Sequence, residues 1–186
     1  GFALLLALTR RVGQAVIDGK DQWPHRMDYR PETVELTGLT MGIIGFGGTG
    51  KAIARLAAGF GMRCIAVDTE PVEPTAEVPE VWGTDRLDDL LRTSDVVASG
   101  MPLTNANRGI FGKRAFELMK PTALLINVTR GELVDADALV EAMRTGQIAG
   151  AGLDVQPMEP MPADHPLWTT KNVLMTPHIA GGSQFR

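Results

Sequence analysis

From residue 40 onward the chain alternates between two hydrophobic patterns. Short apolar runs at 40–46, 63–68, 95–99, 123–128, 149–155 and 172–175 read as strands. The segments between them, at 49–60, 86–93, 113–119 and 136–144, space their apolar residues as helices do. Runs such as Met41-Gly42-Ile43-Ile44 and Ala123-Leu124-Leu125-Ile126 are not interrupted by a polar residue at every second position. A strand of that kind is covered on both faces, as in a parallel sheet between two helix layers. The predicted fold class is α/β, a doubly wound parallel sheet with its core at 36–180.

Ahead of this region, Phe2, Leu5, Leu6, Leu8, Val12, Val16 and Ile17 approximate a helical stripe, and Gly19 with Lys20 resembles a helix end. One helix is expected over 2–17, within an amino-terminal segment 1–20 that either packs on the domain's own core or forms a dimer or interdomain contact. That helix begins at Gly1 with neither a cap nor an initiator Met, so the sequence reads as a segment of a longer protein. Residues 21–35 are polar, with Pro24 and Pro31, and read as a crossing loop. The proline-rich loops at 71–79 and 157–166 are too short to separate domains, so 1–186 is expected to be one dinucleotide-binding unit.

Composition narrows the partners. The chain has 186 residues, 44% hydrophobic and 22% charged, which is ordinary for a globular protein. A net charge of −4 without a Lys/Arg-rich run argues against nucleic acid as a partner. The longest apolar stretch, 2–8, is far short of the ~20 residues of a membrane helix, so no membrane partner is expected. Cys64 is the sole cysteine and sits in the apolar run Cys64-Ile65-Ala66-Val67, where it reads as a buried structural thiol compatible with a reducing, cytoplasmic setting.

Gly45-Phe46-Gly47-Gly48-Thr49-Gly50 lies between a predicted strand and a predicted helix, the context that turns a glycine-rich run into a Rossmann-type dinucleotide signature. Gly45 allows the tight turn, Gly47 lets a pyrophosphate approach the backbone, and Gly50 lets the helix pack on the strand. The first N–H groups of that helix, near Gly48 and Thr49, meet the phosphate charge. Asp68 ends the second strand, where a carboxylate accepts from ribose hydroxyls and repels a 2′-phosphate, favouring NAD over NADP. Methyltransferases that use S-adenosylmethionine share these two features but give no role to the residues downstream.

Arg130 follows the strand at 123–128, at the edge where open α/β sheets bind ligands, and its guanidinium can hold a carboxylate bidentately. His178 follows the strand at 172–175, whereas His25 and His165 lie in proline-containing polar loops and read as solvent-facing. With a reference pKa of ~6.5 for its type, a histidine there suits proton exchange near neutrality. Glu159, in the loop five residues past Asp154, is a candidate carboxylate partner for it, although from the residue alone a solvated loop acid is the better reading.

Together, Gly45-Phe46-Gly47-Gly48-Thr49-Gly50, Asn127-Val128-Thr129-Arg130-Gly131-Glu132-Leu133-Val134-Asp135, Gly150-Ala151-Gly152-Leu153-Asp154-Val155 and Thr176-Pro177-His178-Ile179-Ala180-Gly181 resemble the D-isomer-specific 2-hydroxyacid dehydrogenases over nearly the whole chain. The resemblance implies a catalytic set of Arg130, Glu159 and His178: the first binds substrate, the second supports the histidine, and the third is the acid/base. It implies cofactor contacts from Gly45, Gly47, Gly48, Thr49, Gly50 and Asp68, and from Met101, Pro102, Val128, Thr129, Asp154 and Gly181, with Arg130 and His178 beside the ring. Thr49 stands where the family usually has isoleucine or valine, and Gly100 where it often has histidine or asparagine. The family also has a second domain, built from upstream sequence and a C-terminal segment, that closes over substrate.

The expected activity is therefore NAD-dependent hydride exchange with a small 2-keto or D-2-hydroxy acid, by a homodimer without a metal. A nucleotide-sensing protein of the corepressor kind, on the same scaffold, is the alternative from another class.

Overall fold

The computed structural model describes residues 1–182. Seven strands form one all-parallel sheet: β1 (Thr40–Ile44), β2 (Arg63–Val67), β3 (Val81–Trp82), β4 (Val96–Ser99), β5 (Leu124–Asn127), β6 (Gly150–Leu153) and β7 (Val173–Met175). Their order across the sheet is β3-β2-β1-β4-β5-β6-β7, so the direction of winding reverses between β1 and β4. Registers such as Ile43↔Ala98 and Ile126↔Gly152 align the carboxyl ends of the central strands along one edge. Ligands bind at that edge, next to the point of reversal, in doubly wound sheets.

Both faces of the sheet are buried, which is why the strand segments read as continuous apolar runs. Met41, Ile43, Ala66, Ala98 and Ile126 point to one side, against helices α1 (Phe2–Thr9) and α4 (Gly48–Gly59). Ile44, Val67, Val97, Leu125 and Leu153 point to the other, where α5 (Leu87–Thr93), α6 (Lys113–Leu118) and α7 (Ala136–Arg144) bring Leu90, Phe116 and Leu139. Cys64 is buried as expected, its thiol pushed up to about 11 by desolvation and next by Glu77. No helix among the described residues is long and apolar enough to cross a membrane.

The expected single helix at 2–17 is two helices, α1 and α2 (Val12–Asp18). Arg11 between them is left-handed at φ 56°, and its guanidinium donates to Asn172 Oδ1 at 2.7 Å and pairs with Glu32 at 3.1 Å, so the chain turns there. The break separates two fates that the stripe had merged. Leu4, Leu5 and Leu8 are buried on the domain's own sheet, while Val16 and Ile17 are 73% and 80% exposed. The crossing loop at 21–35 contains a short helix, α3 (Arg26–Tyr29), which Tyr29 ties back to α2 by donating to Asp18. Strand β3, two residues long, gave no periodic signal; it forms because Asp68 N reaches the Trp82 carbonyl at 3.0 Å.

Candidate functional site

Between β1 and α4 the chain makes the predicted glycine turn. Gly45 has φ 91°, and a Cβ there would lie 2.6 Å from the backbone of Met101; one at Gly50 would lie 2.2 Å from the Gly45 carbonyl. Both positions are closed to side chains by the protein itself. Gly47 and Gly48 differ, because a Cβ at either would meet nothing within 4 Å. Helix α4 starts at Gly48 with no side-chain cap, leaving its first N–H groups turned toward that open space. A Cβ at Gly100 would stand 2.4 Å from the Gly45 carbonyl, so glycine here is the residue that lets the turn seat against β4.

Asp68 emerges at the end of β2 and is fixed before any ligand arrives. Its Oδ2 accepts from Phe46 N at 2.6 Å, and its Oδ1 accepts from Glu70 N at 3.2 Å. Two cavities flank the turn. One of about 480 Å³ is lined by Gly45, Asp68 and Ile110 among others, and one of about 1030 Å³ by Gly48, Thr49, Val128, Thr129, Arg130, His178 and Gly181. Gly47, Gly100, Met101 and Pro102 line both, so two chambers meet at the uncapped helix start. A dinucleotide, two nucleosides joined by a doubly charged pyrophosphate, fits that arrangement in size and charge.

Of the acid–base candidates, His178 lines the larger cavity and Glu159 reaches it from outside that lining. His178 Nδ1 and Glu159 Oε2 are 2.8 Å apart, and Glu159 Oε1 accepts from Gln156 N at 2.9 Å. The hydrogen bond from His178, opposed by desolvation, holds the Glu159 carboxyl below the usual glutamate range. Arg130 is exposed at the rim, its Nη1 donating to the Thr129 carbonyl at 2.7 Å. His25 is exposed beside Asp28, as expected. His165 is half-buried rather than solvent-facing, because its Nδ1 accepts from Leu167 N and caps the turn at Pro166–Trp168.

Two predicted cofactor contacts, Gly50 and Asp154, line neither cavity: Gly50 is buried against the Gly45 carbonyl, and Asp154 is held within the histidine loop. Asp154 is 2% exposed and accepts from Thr176 Oγ1 at 2.5 Å, Ile179 N at 3.1 Å and Ala180 N at 2.7 Å. Desolvation raises its carboxyl, but these three donors together outweigh burial and leave it below the usual aspartate range. The Asp154 carbonyl also accepts from His178 N at 2.7 Å. His178 has φ 56°, a conformation costing a non-glycine residue ~1–2 kcal/mol, and the grip of Asp154 on both sides of it offsets that strain.

A buried network that sequence reasoning left without a role shapes the arginine turn. Asn127, fully buried at the end of β5, accepts from Thr129 N and Oγ1 at 3.1 Å and donates to the Arg130 carbonyl at 2.8 Å. Thr129 Oγ1 lies 2.7 Å from Ser99 Oγ, tying the turn to β4. The available signal was a pair of polar residues, Ser99 and Asn127, closing two otherwise apolar strands. Among the described residues, no group of three or more His, Cys, Asp or Glu is placed to hold a metal ion.

Fold and site define a dinucleotide-binding domain of the doubly wound class, with an imidazole–carboxylate pair beside the cofactor edge. Residues 2–180 match the family described as D-isomer specific 2-hydroxyacid dehydrogenase, NAD binding domain, and the chain belongs to that family. It is 40% identical over 190 residues to a glyoxylate reductase of Aeropyrum pernix, covering 98% of this chain and 56% of that protein. Phosphoglycerate dehydrogenase from Lactobacillus plantarum superposes with a TM-score of 0.87 at 35% identity, over 98% of this chain and 58% of the other. An NAD-dependent formate dehydrogenase from Staphylococcus aureus, in complex with NAD, gives 0.86 at 31% identity, over 95% and 52%. The chain thus spans about half the length of the curated relatives it matches.

Proposed function

We propose that this chain is the cofactor-binding and proton-donating part of an NAD-dependent D-2-hydroxyacid dehydrogenase acting on a small 2-keto or 2-hydroxy acid. One observation carries the reading: an imidazole held at 2.8 Å by a carboxylate lines the same cavity as an arginine and the start of α4. Gly45, Gly47, Gly48, Thr49 and Asp68 take the adenosine and pyrophosphate, with Gly50 packed behind the turn, and Met101, Pro102, Val128, Thr129 and Gly181 border the nicotinamide. The negative charge of Asp68 opposes a 2′-phosphate and so favours NAD.

In this reading Arg130 binds the carboxylate of the keto acid and polarises its carbonyl. Bound NADH supplies the hydride that the keto carbon receives. His178 donates a proton from Nε2 to the carbonyl oxygen as the alkoxide develops, and in the reverse direction accepts it back. Glu159, occupying Nδ1, fixes the ring so that Nε2 is the nitrogen offered to substrate. Asp154 acts at one remove, by holding the loop that carries His178. A nucleotide sensor would use the glycine turn and Asp68 equally well, but has no use for the Glu159–His178 pair.

Exposed Val16 and Ile17 on α2 support assembly as a homodimer, and the unpaired buried Cys64 is compatible with the cytoplasm. Sedimentation of the complete protein decides the first, a monomer excluding it. For the reaction, His178→Ala in the complete protein should lower turnover of glyoxylate or hydroxypyruvate by ~10²–10⁴-fold. NADH affinity, read by fluorescence titration, should change less than about 3-fold. Undiminished turnover would overturn the assignment.

A further inference from the structure

Gly131, the residue after Arg130, is buried where the arginine turn meets the loop that carries Glu159. Its φ is outside the left-handed region, so backbone conformation alone does not call for glycine. Space does. A Cβ there would stand 1.6 Å from the Gln156 carbonyl oxygen, 2.1 Å from its carbon and 2.8 Å from Pro157 N. These are backbone atoms, so no rotamer change makes room, and the 156–157 segment would have to retreat by about 1.5 Å or more to reach van der Waals distance. That segment is also the anchor of the acid–base pair, because Gln156 N donates to Glu159 Oε1 while Glu159 Oε2 reaches His178 Nδ1.

We propose that Gly131 is a positioning residue for the Glu159–His178 pair: by admitting the Gln156–Pro157 backbone, it sets the reach of Glu159 to the imidazole and locks the substrate-binding turn to the proton donor. The contact stands on geometry alone, and its catalytic consequence rests on the dehydrogenase reading above. The charged groups acting on Glu159 are His178 and, more weakly, Asp154.

A double-mutant cycle in the complete protein tests it, with Gly131→Ala and Glu159→Gln assayed for kcat on glyoxylate with NADH. Gly131→Ala should lower kcat by ~10-fold or more when Glu159 is present, and by less than ~2-fold in the Glu159→Gln background. In parallel, carboxyl-carbon NMR should show the Glu159 titration rising toward the ordinary glutamate range in Gly131→Ala. Gly59→Ala, where a Cβ meets nothing within 4 Å, should leave the titration unmoved. Additive losses, or a Glu159 titration unchanged by Gly131→Ala, would overturn the proposal. Should that variant fail to fold, Pro157→Gly loosens the same segment without adding an atom; the Glu159 titration must then rise, and an unmoved one again overturns it. If Glu159→Gln leaves turnover intact, the proton-transfer reading fails, while the NMR titration still decides the positioning role.

Discussion

The glycine turn and the histidine loop occupy the same edge of one sheet and are built by opposite means. The turn is made of absent side chains: Gly45 and Gly50 let backbones touch, and Gly47 and Gly48 leave open space in front of α4. The histidine loop is made of side chains present, with Asp154 gripping Thr176, Ile179 and Ala180 so that His178 keeps a left-handed backbone. One region offers fixed N–H groups, which need no ionisation to be ready. The other presents ionisable groups and inherits their pH dependence.

The largest effect that separates them is expected from Gly45→Ala. Both the left-handed φ and the Met101 backbone at 2.6 Å oppose a side chain, so a loss of ~3 kcal/mol or more is expected, lowering the melting temperature by several degrees and abolishing NADH binding. An unchanged melt would show that the turn is softer than its contacts imply.

A smaller change, Asp154→Asn, probes the other region. The amide cannot satisfy all three donors, and leaving one unpaired in this buried site costs ~1–3 kcal/mol at neutral pH. Because the folded-state pKa of Asp154 is depressed, its contribution is complete above the ordinary aspartate pKa of ~3.9 and is lost as pH falls through the lower folded value. The gap between wild type and variant in thermal melts should therefore close below about pH 4; a gap independent of pH would contradict the carboxylate's role.

The smallest structural effect and the sharpest contrast come from Gly48→Ala. With nothing within 4 Å of the new methyl, stability should stay within ~0.5 kcal/mol, while NADH binding weakens by ~10-fold because the methyl enters space proposed for the pyrophosphate. Unaltered affinity would place the phosphates elsewhere.

The same contrast explains what was legible beforehand. The class of fold followed from apolar runs buried on two faces, and helices at 49–60 and 136–144 were recovered almost residue for residue because a cap or turn marks their starts. The strands were read one to three residues too long, because apolar residues such as Phe46 and Val155 stay buried after the ladder ends. The break at Arg11 was hidden, since the stripe continues across it and its causes, Asn172 and Glu32, are remote in sequence. In the site, the turn was readable from glycine spacing. The pairing of Glu159 with His178, 19 residues apart and on different loops, was suggested by the position of Glu159 past Asp154, and family resemblance favoured it over a solvated loop acid. The grip of Asp154 and the Ser99–Thr129–Asn127 network depend on which strands become neighbours, and no local pattern reports that.

The hydrogen bond from Phe46 N to Asp68 has an evolutionary consequence. The carboxylate proposed to select the cofactor also braces the turn that receives it, so the two properties are inherited as one. A drift from Asp68 to a small residue without an acceptor would relax discrimination against a 2′-phosphate and loosen the phosphate loop in the same step. Asparagine keeps an oxygen for Phe46 N while discarding the charge, which makes it the short mutational path toward a broader cofactor range.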